Sequence, residues 1–181
     1  MKRALLVINV QNEFFTGKMP VTHPNFSFLN IIHAIDIANA HQFPVIFIQH
    51  TNVGQDAKAF VKGTREWELH NKVRDKKHTC LVETSFPGCF TGTNLDAILK
   101  NYGCDTVVIC GYTSCGCCDT TARQAYHYGY NVEFLSDATG ALALKNEVGK
   151  VSAEELHRST LVIQATCFSN VLNLIDWEKA I

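Results

Sequence analysis

The stretch GYTSCGCC at residues 111–118 concentrates the reactive side chains of the chain, with three thiols inside four residues. An apolar run, Thr106–Gly111 (TVVICG), precedes it and a helix-forming stretch follows. A strand, a tight turn and a helix in that order put Cys117 in a helical first turn. There the unpaired backbone N–H groups and the positive end of the helix dipole favour thiolate over thiol. The same N–H groups would hold an oxyanion formed when the sulfur attacks a carbonyl. Cys115, Cys117 and Cys118 also fit as small core-filling residues, and spacing alone does not separate the two readings.

Other groups with chemistry fall where strands run out. LLVINVQNEFF at residues 5–15 reads as a buried strand that ends in amides and an acid. Asn9 brings an uncharged amide to a position where chemistry asks for an acid or a base. His50 ends a second apolar run and reads as a structural residue, a proton acceptor or a substrate contact. Glu83 precedes Thr84 and points to the opposite sheet face if the strand continues. Glu13 lies beyond the first strand, and both acids read as surface groups. The aromatic residues Phe14, Phe15, Phe86, Phe90 and Trp67 fall in loops at the site edge. Gln11, Phe14, His50, Trp67 and Phe90 are the candidate substrate contacts, and aromatic walls suit a small, partly planar ligand.

The elements that position these groups alternate along the chain. Strands are expected at Ala4–Val10, Pro44–His50, Thr79–Thr84, Thr106–Gly111, Asn131–Leu135 and Leu161–Ala165. Helices are expected at Phe26–His41, Asn94–Tyr102, Ser114–Tyr128, from Ser152 to His157 and onward, and at Ser169–Trp177. Ser152 and Glu155 have capping-box spacing. Residues 51–78 form a long polar connection without clean periodicity. The alternation predicts an α/β fold, a three-layer α/β/α sandwich around a mostly parallel sheet of about six strands. Ligands of such sheets bind outside the strands' C-terminal ends.

With 181 residues, the chain fits one domain, taken as residues 3–178. It is 46% hydrophobic with net charge −1, and it has no basic stripe, which argues against nucleic-acid binding. Arg74, Lys76 and Lys77 read as a solvated loop. No run is long and apolar enough for a membrane helix, and nothing reads as a secretion signal. The eight cysteines then read as thiols in a reducing, cytoplasmic setting.

Several segments together resemble the isochorismatase-like cysteine hydrolase superfamily. Gly111-x-x-Ser114-x-x-Cys117 is similar to its G-x-x-T-x-x-C nucleophile turn. LLVINVQNEFF resembles its opening L-x-V-I-D-x-Q-N-D-F strand. FTGT at 90–93 and SDATGA at 136–141 resemble further segments, so the likeness covers roughly residues 3–175. It implies a Rossmann-like isochorismatase fold and a small-molecule substrate, and assembly into a homodimer or larger homo-oligomer. It also implies a mechanism: a Cys thiolate attacks a carbonyl-type carbon, an Asp handles the proton, and a Lys holds charge beside both. A cis peptide before the nucleophile, here Tyr112–Thr113, would aim the amides of Thr113 and Cys117 at an oxyanion hole.

Carried over by residue, Cys117 is the nucleophile, Asn9 stands where the family has Asp, and Thr84 stands where it has Lys. VETSFPGCFTGT at residues 82–93 carries the latter match, against a V-E-K-x-x-P-x-x-F-T-G-T pattern. Asn accepts no proton at neutral pH, and loss of a general base lowers rates by about 10²–10⁴-fold. The expectation is a hydrolase of a small amide-like substrate with weak or atypical activity. The alternatives are a family member that binds a ligand without turnover and a thiol-reactive or redox protein. No cofactor or metal is expected. Ile48–Phe60 offers only His50 and Asp56 where metal-dependent relatives carry an Asp and two or more His, and CGCC lacks a distant partner pair for zinc.

Overall fold

The first strand, β1 (Arg3–Ile8), is buried along its whole length. Leu5 and Val7 enter one core while Ala4, Leu6 and Ile8 enter another, so the strand is apolar on both faces. The computed structural model describes residues 1–181. After β1 come α1 (Ser27–Ala40), β2 (Val45–His50), a single turn α2 (Asn71–Arg74), β3 (Cys80–Thr84) and α3 (Leu95–Asn101). They are followed by β4 (Thr106–Tyr112), a wide π turn (Ser114–Cys118), α4 (Asp119–His127) and β5 (Asn131–Gly140). The chain ends with a hairpin of β6 (Leu144–Asn146) and β7 (Gly149–Val151), then α5 (Ala153–Cys167), β8 (Asn170–Leu172) and α6 (Leu174–Lys179). No helix is long and apolar enough to cross a membrane.

Six strands pair in parallel in the order β3-β2-β1-β4-β5-β8. One core joins α1 and α6 to the sheet through Ile31, Ile35, Leu174 and Trp177. The other joins α3 and α4 to the opposite face through Leu95, Leu99, Ala122 and Ala125. This is the expected three-layer α/β fold with six strands in the sheet. The chain builds β2 and β3 on one side of β1 and returns with β4 on the other, so the strand order reverses between β1 and β4. Their C-terminal ends therefore splay around a crevice.

The expected strand at Leu161–Ala165 is instead part of α5. The Ser152 hydroxyl accepts the Glu155 N–H at 3.2 Å, while Glu155 accepts the Ser152 N–H at 3.0 Å. That capping box starts a helix that runs through the apolar run. Leu161 and Gln164 turn inward, but Val162 and Ile163 are 61% and 43% exposed, which is helical rather than strand periodicity. The sixth sheet strand is β8, beside Glu133–Leu135, and it takes the residues expected to open the terminal helix. The expected helix 114–128 divides into the π turn and α4, and β5 runs five residues beyond Leu135.

Two contacts hold the sheet edges. At the N-terminal edge, Arg3 Nε and Nη2 donate to the buried Glu133 carboxylate at 2.9–3.1 Å, and Trp177 Nε1 donates to it at 2.9 Å. At the C-terminal edge, Gly111 has φ +115°, and a Cβ there would lie 2.1 Å from the Ile8 carbonyl oxygen. Only glycine lets β4 pass β1 that closely. Gly111→Ala is expected to lower the unfolding free energy by about 3 kcal/mol or more, read from denaturant titrations. Glu133→Ala strands a buried guanidinium and is expected to cost about 3–5 kcal/mol in the same assay. An unchanged midpoint in either variant would contradict the corresponding contact.

Candidate active site

β4 leads directly into the thiol turn. The peptide bond between Tyr112 and Thr113 is cis, and Thr113 is extended. The Thr113 carbonyl accepts both the Gly116 and the Cys118 N–H at 3.1 Å, which draws the chain into its wide turn. A Cβ on Gly116 would meet Thr113 Oγ1 at 2.7 Å. From α5, the buried His157 ring places Nδ1 3.0 Å from Ser114 Oγ and braces the turn. Burial and the nearby His23 hold His157 near pKa 4, so its ring is neutral over the ordinary pH range. Composition and spacing do not flag His157, because it touches the site only through the packing of α5.

Cys117 is half-buried against the α3–α4 core, and burial pushes its thiol up to about 11. A hydrogen bond from the Asn9 side chain and its own backbone N–H pull the other way, while Cys115 adds to the rise. The thiolate preference expected from a helix start is outweighed here, because desolvation dominates and the regular helix begins only at Asp119. Cys89, Cys110 and Cys118 are buried, and all three thiols are raised by desolvation.

Asn9 follows β1 with φ +50°, a left-handed conformation that Asn tolerates. Its N–H donates to the Ile48 carbonyl at 2.9 Å, and its carbonyl accepts the Gln11 N–H at 2.8 Å. Its side chain is 1% exposed, yet Oδ1 has no hydrogen-bond partner. Across the sheet, His50 is in register with Thr84 at the ends of β2 and β3. His50 Nδ1 is buried and also unpartnered. Burial lowers the imidazole pKa, which keeps the ring neutral, and its edge rests on Phe60 at 5.3 Å. A buried polar atom left unsatisfied costs about 1–3 kcal/mol, and two of them lie at this edge of the sheet.

Thr84 is buried on the sheet face that carries Val82, with Cys117 packed on the same core. Its hydroxyl is occupied by Phe86, donating to the carbonyl at 3.1 Å and accepting the N–H at 3.2 Å. Position 84 therefore closes a turn and sends no charge toward Cys117. Glu83 points to the other face, where its carboxylate accepts from Thr51 Oγ1 at 2.7 Å and Lys62 Nζ at 2.7–2.9 Å. Glu13 is buried rather than superficial, and it accepts the Lys18 N–H.

The candidate substrate contacts separate. Gln11 is fully buried, and both ends of its amide are spent: Nε2 donates to the His50 and Trp67 carbonyls, and Oε1 accepts the His50 N–H. It is a clamp between β2 and the long loop, not a substrate contact. Trp67 Nε1 donates to Thr51 Oγ1 at 2.8 Å, which ties the indole to the same loop. Phe90 is buried in the core on the α3–α4 side and stacks on the exposed Tyr128 at 4.9 Å, and Phe14 packs on Phe60 and Tyr112 in the opposite core. His50 alone of the five keeps an unspent polar atom. Asp56 is exposed, and no group of three or more His, Cys, Asp or Glu is arranged to hold a metal ion. A cavity of about 440 Å³ lies between Phe14, Phe28 and Tyr112, and Cys117 is not among the residues that line it.

The comparisons with known proteins concern the whole domain. The isochorismatase domain model matches residues 3–165. A Bacillus subtilis protein described as an uncharacterised isochorismatase family member, YddQ, is 33% identical over 87% of this chain and 88% of its own length. Nicotinamidase 3 of Arabidopsis thaliana is 29% identical, covering 97% of this chain and 85% of its own. A crystal structure of a provisional isochorismatase from Burkholderia xenovorans superposes with a TM-score of 0.95 at 38% identity, covering 99% of this chain and 86% of that one. With its domain match, its three-layer sheet and a cysteine turn at the point where strand order reverses, the chain belongs to the isochorismatase family of hydrolases.

Proposed function

We propose that residues 3–178 form one hydrolase domain that cleaves a small, uncharged amide-type substrate through Cys117. The observation that carries this reading is a cysteine held on a tight turn where strand order reverses, beside Asn9, whose Oδ1 is buried without a partner. That oxygen suits an N–H of a carboxamide, whose carbonyl would then turn toward the amides of Thr113 and Cys117. Attack by sulfur forms a tetrahedral oxyanion at those amides, and its collapse expels the amine and leaves a thioester for water to hydrolyse.

The same geometry argues for slow turnover. A thiol of pKa about 11 is ionised to only about one part in 10⁴ at pH 7. Asn9 takes up no proton, and Thr84 supplies no cation to favour thiolate. Hydrolysis of isochorismate itself would require protonation of a vinyl ether, which an amide at position 9 does not provide. The uncharged pair at 9 and 84 also favours a second reading, in which the crevice binds its ligand without turnover. The free thiols at all eight cysteines support work in a reducing, cytoplasmic compartment. Exposed apolar residues on α5, Val162 and Ile163, support a homo-oligomer.

A panel of small primary amides, assayed for released ammonia, tests the proposal. Slow hydrolysis is expected in the wild type, none in Cys117→Ala, and no turnover of isochorismate. In Asn9→Asp/Thr84→Lys, the restored acid and the cation beside sulfur are expected to raise kcat/KM by about 10²-fold or more. Hydrolysis that survives in Cys117→Ala would overturn the cysteine mechanism. Ligand binding without turnover in both the wild type and the double variant would establish the second reading instead.

A further inference from the structure

Tyr112 ends β4 and leads through Thr113 into the thiol turn. Its ring belongs to the core on the α1 side of the sheet, whereas Cys117 packs against the core on the α3–α4 side. The phenol oxygen lies 3.1 Å from Oγ of Ser27, the first residue of α1. Tyr112 is 1% exposed and Ser27 3%, so both hydroxyls are held out of bulk water. That contact is the one hydrogen bond either side chain makes. Two hydroxyls carry two protons, and one bond uses one of them. Whichever oxygen donates, the proton on the other is left without an acceptor. Burial pushes the Tyr112 phenol up to about 12, so the phenol keeps its proton at ordinary pH. A buried donor left in this condition is costly, and an incoming acceptor removes the cost.

The hydroxyl pair lies in the wall of the cavity of about 440 Å³, a volume that suits a small ring compound. Phe14, Phe15 and Phe28 line the same space. Their rings brace one another. Phe15 meets Phe28 at 4.8 Å, and Phe14 and Phe15 meet Tyr112 at 5.6 and 5.8 Å, each pair steeply tilted. Rings set at such angles offer faces and edges against which a further aromatic ring packs. No charged side chain lines the cavity, so nothing there would offset the desolvation of a charged ligand. The wall is therefore aromatic and uncharged, with one spare donor set into it.

We propose that this cavity is a second binding site, separate from the thiol crevice, for a small uncharged aromatic ring that bears a carbonyl-type acceptor. The ring packs among Phe14, Phe15 and Phe28, and its acceptor takes the spare proton of the Ser27–Tyr112 pair. Cys117 is absent from the wall, so binding needs neither the nucleophile nor turnover. A ligand held here touches the residue that joins β4 to the thiol turn through Thr113.

The spare donor gives the site a selectivity that a bare apolar cavity lacks. A ring of the same shape without an acceptor buries the donor unpaired, whereas a ketone pairs it. Replacing both hydroxyls by apolar groups of similar shape removes the donor and is close to neutral for folding, because no polar group is left stranded. In Ser27→Ala/Tyr112→Phe the aromatic wall therefore persists while the preference for an acceptor disappears. Either single replacement leaves one hydroxyl with its proton free, so the double variant is the informative one.

Two probes of one shape test this by fluorine NMR titration: para-fluoroacetophenone, which carries the acceptor, and para-fluoro-isopropenylbenzene, which lacks it. The readout is the ratio of their affinities. That ratio is expected to favour the ketone by about fivefold or more in the wild type relative to Ser27→Ala/Tyr112→Phe. Cys117→Ala is expected to bind both probes as the wild type does. Photolabelling of the wild type with para-azidoacetophenone, mapped by mass spectrometry, locates the ring without any variant. Label is expected in residues 14–28 or at Tyr112. No binding of the ketone by the wild type, label confined to other segments, or loss of binding in Cys117→Ala overturns the proposal. An unchanged affinity ratio in the double variant overturns it as well. No bond is cleaved in these measurements, so failure of the hydrolase reading appears in the amide panel and failure of the second site appears here.

Discussion

Everything at the site depends on how closely β4 passes β1. Gly111 sits against the Ile8 carbonyl in a left-handed conformation that leaves no room for a side chain. That contact brings the last residues of the two strands together at the place where strand order reverses. It delivers Asn9 from one strand and the thiol turn from the other to a single crevice. With any larger residue at 111, the strands would separate there. The brace from His157 to Ser114 completes the frame.

Within that frame the electrostatics at Cys117 run against ionisation. Desolvation raises the thiol, and only neutral dipoles oppose it. A hydrogen bond from an amide stabilises a thiolate less than a fixed cation would in the same low-dielectric surroundings. The crevice thus keeps the family fold, with an amide at position 9 and a hydroxyl at position 84. What remains at these strand ends is two buried polar atoms without partners, Asn9 Oδ1 and His50 Nδ1.

Much of the fold was legible in the sequence because its signals are local. β1 and β4 announce themselves as unbroken apolar runs, since both faces of a parallel strand are covered. Gly103 and Gly129 follow α3 and α4 as helix-ending residues with positive φ. The reading failed at Leu161–Ala165, where an apolar run was taken for a strand. Those residues belong to a helix whose start is set by Ser152 and Glu155, with two of the apolar side chains left facing outward. Short runs of this kind carry too little periodicity to separate strand from helix. The roles of Gln11 and Trp67 were equally unreadable, because a clamp and a substrate contact call for the same residue types at the same strand ends.

The sequence by itself determined the family, the sheet and the uncharged residue types at positions 9 and 84. All of these follow from residue identity and order along the chain. Tertiary structure alone decided which groups are spent and which are free. It occupied the Thr84 hydroxyl with Phe86, paired Glu83 with Lys62, filled both ends of Gln11, and left Asn9 Oδ1 and His50 Nδ1 without partners. It also decided that burial outweighs the backbone dipoles at Cys117. Hydrogen-bond satisfaction and desolvation arise between residues distant in the chain, so neither can be read from any one stretch of it.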